Sequence, residues 1–488
     1  MQTLALPADR APLITTGPLT RWQVLAGALL IQLILGTLYG YSVFWQPLES
    51  LWYPPVLTTA EAAGLGVTTD AAASAVIVPD SDAARQLHAQ RQSRLKYAFG
   101  ICLLSFAVSM IFAGRMQDVC GPRLPAMIGG ALLAIAFLLA GALTSGGLAG
   151  SEAGRLLWLW LTIGLIAGVG IGFAYVSPIA ALVKWFPRHK GLVAGLAVAG
   201  FGLGAWVFSN KLPVGAVGFI ERFSIERFFF VHALVCLVAV CGGAALLRNP
   251  PGGASAQAGD SRAPERESSW RQTLLNARFY IVWLMFFSGA LAGLMVIGIL
   301  KPFAGWQLLG AATASGAALS PAAQDALLLK GAAAVGWLAI FNALGRIFWG
   351  LVSDRFGRCN TLTVMFALQA LTLLTLVTLR SELSLAFGAA CVGFNFGGNF
   401  ALFPSITADL FGARHLGANY GWVFTSYGLA GVSGVALGNA AMRATGSYFV
   451  AFAIAAGMCL ISAGLALWLG HVLRSGMAAA SGGRGGAS

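Results

Sequence analysis

Charged residues are scarce in this chain of 488 residues. They make up 10% of the sequence, whereas 58% of the residues are hydrophobic and the mean hydropathy is +0.79. Soluble globular proteins carry roughly 25% charged residues. A large soluble protein with buried helices would need far more polar surface, so the composition argues against that class and indicates a membrane protein.

Several chemical motifs are also missing. The seven cysteines show no CxxC spacing, and the sequence has only five histidines, so we predict no disulfide, metal site or cofactor. There is no nucleotide-binding loop and no nucleophile–base pair on one helical face. These absences argue against an enzyme.

Long apolar runs are what the sequence has in abundance. A run of about 20 apolar residues crosses the hydrocarbon core of a bilayer. The sequence therefore predicts an all-α membrane protein with twelve transmembrane helices, at about 22–45, 97–115, 123–145, 156–184, 190–209, 228–247, 278–300, 329–352, 360–380, 383–408, 417–441 and 446–472.

The net charge of +13 raises the question of nucleic acid, but the positions of the basic residues suggest another role. Short turns on one side of the predicted membrane carry many of them, and basic residues mark cytoplasmic turns. We therefore predict both termini in the cytoplasm and no nucleic-acid partner. The basic residues of these turns are Arg115, Arg123, Lys184, Arg188, Lys190, Arg355 and Arg358.

One polar stretch, residues 249–277, divides the chain. Its Pro, Gly, Ser and charge content predicts a flexible cytoplasmic linker. We expect residues 1–248 to form a first half of six helices, with an external insert at about 50–95. Residues 278–472 form the second half, and residues 473–488 a flexible tail.

The two halves repeat each other. A G-x-x-x-D-x-x-G pattern followed by basic residues occurs once in each half, with its aspartates 236 positions apart. Pro178 and Pro404 belong to a second matched pair of segments, offset by 226. Repeats around a site at the membrane midplane are typical of secondary transporters.

The repeated motif has a physical role at the membrane edge. Glycines allow close helix approach and tight turns, while Asp and Arg cap and bridge neighbouring helices. We interpret the motif as a latch that gates conformational change without contacting substrate. Its residues are Gly114, Asp118, Gly121 and Arg123 in the first half, and Gly350, Asp354, Gly357 and Arg358 in the second.

Arg346 lies inside the apolar run 331–353, eight residues before Asp354. At 1.5 Å per residue it is about 12 Å deep, where a permanent charge is costly. The predicted spans offer no carboxylate near that depth. One interpretation is an arginine satisfied by carbonyls and water. The other is that the counter-ion is a substrate carboxylate, whose two oxygens suit a guanidinium.

With these residues in view, the chain resembles the major facilitator superfamily, specifically its oxalate/formate antiporter and monocarboxylate transporter branch. The resemblance is carried by "LYGYSVFWQPL", "KWFPRHKGLVAGLAVAGFGLGA", "GRIFWGLVSDRFGR", "GGNFALFPSITADLFG" and "NYGWVF". It implies a monomeric transporter of small carboxylate anions in the cytoplasmic membrane of a bacterium, working by proton symport or anion exchange. The matching arginine of helix 8 binds the substrate carboxylate in that family.

The resemblance also implies aromatic residues around the substrate. Tyr39, Tyr175, Phe396, Phe400 and Phe424 match cavity-lining positions of oxalate transporters. Each is equally open to a packing role.

One departure from the branch bears on specificity, because Tyr427 stands where oxalate-type members carry a lysine. A single cation suits a monoanion, so we expect a monocarboxylate such as lactate, formate or pyruvate. The alternatives are an oxalate/formate-type dicarboxylate antiporter, a neutral-solute facilitator, or a sensor that does not transport.

The predicted topology can be tested by labelling. A cysteine introduced at Asp260, in the linker, should react with a membrane-impermeant maleimide only after the cytoplasmic side is opened. Labelling of that cysteine in intact cells would contradict the predicted orientation.

Overall fold

The structure of the chain is a computed structural model. It describes residues 19–53, 56–58, 76–78, 82–144, 151–209, 215–251, 267–314, 332–482. The side chains of some helical residues within these ranges, Tyr39 among them, lie outside the description, as do most of the insert, residues 252–266 of the linker and residues 483–488.

Six membrane helices form the first half. Helix α1 is in three parts, Leu19–Leu35, a 3-10 turn Gly36–Tyr41 and Ser42–Trp52. The next five are α2 (Asp82–Cys120), α3 (Arg123–Thr144), α4 (Glu152–Trp185), α5 (Lys190–Ser209) and α6 (Ile225–Leu246).

The second half repeats this arrangement. Its helices are α7 (Ala277–Ala314), α8 (Ala332–Phe356), α9 (Arg358–Leu376), α10 (Glu382–Phe411), α11 (Leu416–Thr445) and α12 (Phe449–Gly482). Each falls on one of the twelve predicted spans. The all-α architecture of two six-helix halves is confirmed, with two small strands in the insert as an addition.

Eleven of the helices in the described part of the chain are long and apolar enough to cross a membrane. Helix α11 is not among them, although its 30 residues exceed the length that is needed. Asn, Ser, Thr and Tyr side chains interrupt its apolar sequence. The outer faces of the bundle carry exposed apolar side chains such as Leu104, Phe112, Leu234 and Phe387, as lipid contact requires.

Irregular turns interrupt three helices of the first half. Besides the 3-10 turn in α1, a π-helical segment occurs in α4 at Trp160–Ile166 and another in α6 at Cys236–Val240. Pro178 in α4 and Pro404 in α10 lie inside helices at matching positions of the repeat. Their occurrence at the same place in both halves supports the internal repeat.

The described parts of the insert are short. Strand β1 (Val56–Thr58) pairs in parallel with β2 (Val76–Val78), and α2 then begins at Asp82. Helix α2 therefore starts well before the apolar run that predicted it. Arg94 of this extension forms an ion pair with Glu152 of α4 at 2.8 Å, which ties the insert side of α2 to the bundle.

The two halves meet through close backbone contacts between α2 and α11 and between α5 and α8. A Cβ atom on Gly114 would overlap the carbonyl oxygen of Gly417, and one on Gly350 would overlap that of Gly191. Small residues allow helix backbones to approach this closely in membranes. The glycines of the repeated motif therefore determine the spacing between the halves.

Two stretches that the sequence predicts to be flexible contain ordered structure. The last helix continues to Gly482, so the predicted tail is helical over its first ten residues. The end of the linker, from residue 267 onward, forms a short helix, Trp270–Leu274, against the second half. Its Ser269–Gln272 capping box is a helix-start pattern that could have been read from the sequence.

Candidate anion-binding site and gate

Arg346 of α8 is buried at the contact between the two halves, with 1% of its surface exposed. Its Nε donates to the side-chain oxygen of Asn342 at 2.9 Å, one turn earlier on the same helix. Its Nη1 donates to the backbone carbonyl of Val198 in α5, which belongs to the other half. No carboxylate among the described residues lies within 4 Å of the guanidinium.

Two aromatic rings flank the charge. The guanidinium carbon lies 4.6 Å from the ring centroid of Phe400 in α10 and 5.9 Å from that of Phe201 in α5. Ring faces carry partial negative charge, so both contacts stabilise the cation. They do not neutralise it.

A cluster of aromatic rings continues from Phe400 across the centre of the molecule. Phe400 contacts Phe396 at 5.2 Å and Tyr427 at 5.5 Å between ring centroids. Tyr427 in turn contacts Phe424 at 4.8 Å, and Phe424 contacts Tyr175 at 5.5 Å. The structure thus brings five of the six predicted aromatic residues together beside Arg346, all of them buried.

The sixth, Tyr39, lies in the 3-10 turn of α1, and its side chain is outside the described residues. Three further rings that the sequence analysis missed join the cluster. Phe106 of α2 packs against Tyr175 at 5.1 Å and against Phe424 at 4.9 Å. Phe201 and Phe286 are the other two. Counting residues along the helices from the motif end could have predicted how deep these three rings lie in the membrane. It could not have predicted which neighbouring helix each ring faces.

The repeat shows that this site is asymmetric. Gly195 packs on the backbone carbonyl of Arg346, and the matching Gly421 packs on that of Met110. Met110 is therefore the first-half counterpart of Arg346, eight residues before Asp118 as Arg346 is before Asp354. Only the second half supplies a charge at this position.

The two motif aspartates lie at one end of the bundle, which we call the motif end. Asp118 of α2 accepts hydrogen bonds from the backbone N–H groups of Gly417, at 3.1 Å, and Ala418, at 2.7 Å, at the start of α11. Free N–H groups and the helix dipole make such a terminus a natural partner for a carboxylate. Lys184 of α4 lies 3.8 Å from the same carboxylate.

Asp354 makes the equivalent contact with the start of α5. Its two oxygens accept from the backbone N–H groups of Gly191, at 2.9 Å, and Leu192, at 2.8 Å. Each half therefore caps a helix of the other half, and the motif end is closed in this structure.

A second set of charges reinforces the Asp354 contact. Arg358 pairs with Asp354 at 2.7 Å and with Asp409 at 2.9 Å, and Asp409 also pairs with Lys190 at 2.9 Å. Because Lys190 belongs to the first half and Asp409 to the second, this network crosses the interface. Asp409, Lys190 and Lys184 were not among the predicted gating residues.

The remaining motif residues shape the turns. Gly121 and Gly357 have φ angles of +80° and +86°, in the left-handed region that favours glycine, and each ends the loop before the next helix. Arg123 donates from Nε to the carbonyl of Leu247 at 2.8 Å, which holds α3 against the end of α6. The two motif arginines therefore have different partners.

Two repeated halves of six membrane helices, with a buried cation at their interface, are an architecture typical of secondary transporters. The chain belongs to the major facilitator superfamily, whose family model matches residues 62–328 and 326–486. It is therefore a multi-pass membrane transporter and not an enzyme.

The chain is also similar to individual transporters whose names state what they carry. The chain is 29% identical to the oxalate:formate antiporter of Oxalobacter formigenes over 76% of this chain and 81% of the relative. It is 32% identical to apicoplast pyruvate carrier 1 of Toxoplasma gondii over 65% of this chain and 64% of the carrier. The proton:xylose symporter XylE shares the fold, with a TM-score of 0.59 at 14% identity, over 91% of this chain and 94% of XylE.

The latch contacts lead to a prediction for the motif aspartates. Asp118→Asn or Asp354→Asn should slow transport at least tenfold, because the loss of one hydrogen bond to a charged group removes roughly 1.5–3 kcal/mol of stabilisation from the closed motif end. The dissociation constant for substrate should stay unchanged, since neither carboxylate lies at the Arg346 site. Rates in proteoliposomes and equilibrium binding in detergent measure the two quantities, and a large loss of binding by a folded variant would contradict the gating role.

Proposed function

We propose that the chain is a secondary active transporter that moves small monocarboxylate anions, such as lactate, formate or pyruvate, by alternating access. The observation that carries the proposal is Arg346, a buried permanent cation with no described carboxylate beside it. A guanidinium keeps its proton in any protein environment. An anion from solution is the partner that would complete this site.

The hydrogen-bond count at Arg346 supports an anion with two acceptor oxygens. A guanidinium has five N–H donors. Asn342 and the Val198 carbonyl take two of them, which leaves three, including both on Nη2. Parallel N–H groups on the two terminal nitrogens suit the two oxygens of one carboxylate.

The aromatic cluster sets the character of the rest of the site. Its rings offer apolar surface to the short carbon chain of a small organic acid, and they exclude water from around the charge. An ion pair formed where water is excluded is stronger than one in solution. Tyr427 and Tyr175 bring hydroxyl groups that suit a hydroxy or keto acid.

The contact with Val198 suggests how binding is linked to movement. Arg346 lies in one half and Val198 in the other, so their hydrogen bond joins the halves directly. In our proposal, a carboxylate that pairs with the remaining N–H groups of Nη1 and Nη2 pulls the guanidinium away from Val198 and releases this bond. Occupancy of the site then alters the contact between α5 and α8 about which the halves move.

The relatives agree with a carboxylate substrate. One is named an oxalate:formate antiporter and another a pyruvate carrier, and both names describe small organic acids. The likeness to the antiporter favours a second candidate, exchange of dicarboxylates for monocarboxylates. We favour monocarboxylates because one arginine balances one negative charge and Tyr427 replaces a lysine of that branch.

The proposal also covers how the chain is oriented in the membrane and how transport is coupled to a proton or a second anion. We place the chain in the cytoplasmic membrane of a bacterium as a monomer, with the motif end and both termini in the cytoplasm, so that the closed motif end leaves the site to be reached from outside. Proton symport and anion exchange both fit the site. Counterflow in proteoliposomes, with and without an imposed pH gradient, distinguishes them.

Arg346 provides the main test. Arg346→Ala should abolish carboxylate transport, and Arg346→Lys should not restore it, because an ammonium lacks the planar two-pronged geometry. Stabilisation of the folded protein by added lactate or pyruvate should disappear with the guanidinium. Transport of radiolabelled substrate and thermal unfolding of the same preparations measure both effects.

Met110→Ala is a matched control, because it truncates the corresponding residue of the first half and removes no charge. It should retain substrate-dependent stabilisation. If Arg346→Ala, reconstituted in good yield, exchanged carboxylate at near-parental rate, the arginine would be held by carbonyls for structural reasons and the anion site would lie elsewhere.

Tyr427 tests the charge count. Tyr427→Lys would introduce a second cation one ring away from Arg346, beyond Phe400. We expect preference to shift from monocarboxylates towards oxalate about tenfold, since at the effective dielectric constant of protein sites a close pair of charges interacts by a few kcal/mol at most. Competition between unlabelled acids for labelled substrate measures the preference, with Tyr427→Met as the uncharged control. An unchanged ratio in a folded variant would show that Tyr427 does not face the substrate.

A further inference from the structure

The end of the central linker is attached to the second half at the motif end, beside the start of α11. The carboxylate of Glu267 accepts a hydrogen bond from the backbone N–H of Arg414, just before α11, at 3.0 Å. The next residue, Ser268, donates its N–H to the carbonyl of Phe411 at 2.9 Å and accepts from the side chain of Asn419 at 2.9 Å. These three bonds hold the linker against the turn between α10 and α11.

The short helix that follows strengthens the attachment. Trp270, its first residue, stacks on Trp422 of α11 with ring centroids 6.2 Å apart. Ser269 and Gln272 cap it reciprocally. The segment 267–274 is therefore fixed to the second half and would move with it.

Gly412 makes the close approach of Glu267 possible. Its φ of +88° ends α10 in the left-handed region, and a Cβ atom there would come within 2.6 Å of the Glu267 carboxylate. A side chain at this position would strain the backbone and push Glu267 away. Both effects favour glycine where the linker docks.

The Asp354 side and the Asp118 side of the motif end carry different acidic residues, and this difference explains why Glu267 docks where it does. Beside Asp354, the acid Asp409 at the end of α10 pairs with a lysine of the other half. The position of the first half that matches Asp409 is Val183, 226 residues earlier, so the Asp118 side has no equivalent acid in its helices. Glu267 lies on that side: it binds the turn before α11, whose first N–H groups bind Asp118, and Lys184 lies 3.8 Å from the same Asp118 carboxylate.

Another titratable side chain near Glu267 is His415. Burial, and after it the charges of Arg414 and Lys184, lower the pKa of His415 despite the attraction of Glu267. Burial and these two positive charges therefore disfavour the protonated imidazole. Lys184 is the cation of the first half that lies beside Asp118 on this side of the interface.

We propose that Glu267 is a gating residue, supplied by the linker, that stabilises the closed motif end by holding the start of α11 for Asp118 and by attracting Lys184 of the opposite half. This inference rests on the alternating-access function proposed above. When the motif end opens, the carboxylate stays with α11 while Asp118 and Lys184 move away together.

Spin labels on the two halves test this directly. Arg188→Cys and Phe356→Cys place exposed labels at the motif end of each half, in a background without the seven native cysteines. Glu267→Gln should raise the ratio of the long to the short distance about twofold to fivefold, because Glu267 is exposed and water weakens the attraction between its charge and an opposite one. The distances are measured by double electron–electron resonance in nanodiscs.

Glu265→Gln is the matched control, because it removes the same charge from the same linker two residues earlier. It should leave the ratio unchanged. Lys184→Gln opens the gate by itself, and in that background Glu267→Gln should have a smaller additional effect. An equal shift from Glu265→Gln would reduce the effect to overall charge and overturn the proposal.

The outcomes also separate this inference from the function on which it rests. A parent protein that shows a single distance at every pH and with every carboxylate tested would contradict alternating access itself. Two distances in the parent, in a ratio that Glu267→Gln leaves unaltered, would contradict only the role of Glu267. Thermal unfolding of each variant verifies that the fold is intact.

Discussion

A guanidinium cannot give up its charge in the middle of a membrane protein, so the surrounding structure has to provide for it. Around Arg346 it does so incompletely. An amide oxygen, a backbone carbonyl and two ring faces stabilise the cation, and three N–H donors have no described partner. Because one of these partners comes from the opposite half, the residue that we propose as the anion site also contributes to the interface between the halves.

That interface depends on backbone groups more than on paired side chains. Each motif aspartate binds the free N–H groups that begin a helix of the other half, at Gly191 and Leu192 or at Gly417 and Ala418. Such groups lose their protein partners when the halves separate, but water can replace them at the membrane edge. In our proposal these contacts form a gate that closes the motif end and can open at modest cost, as a transport cycle requires.

The repeat builds a nearly symmetric scaffold, and the proposed functions come from places where the symmetry fails. Arg346 has Met110 as its counterpart, so only the second half supplies a cation at this pair of positions. Asp409 has Val183 as its counterpart, and the linker contributes Glu267 on the side that lacks the acid. The two halves have the same backbone packing, but they differ in which of the matching positions carry a charged side chain.

The sequence by itself determined the twelve helices, the repeat, the motif residues and the depth of Arg346. Those features follow from local properties, namely the length of an apolar run and the rise of a helix per residue. Only the tertiary structure decided that Val198 would bind Arg346, that Phe106, Phe201 and Phe286 would join the predicted rings, and that Glu267 would dock on α11. Helical periodicity in a nearly uniform apolar sequence does not indicate which face of a helix meets which neighbour, because contacts between residues more than a hundred positions apart depend on how the helices cross.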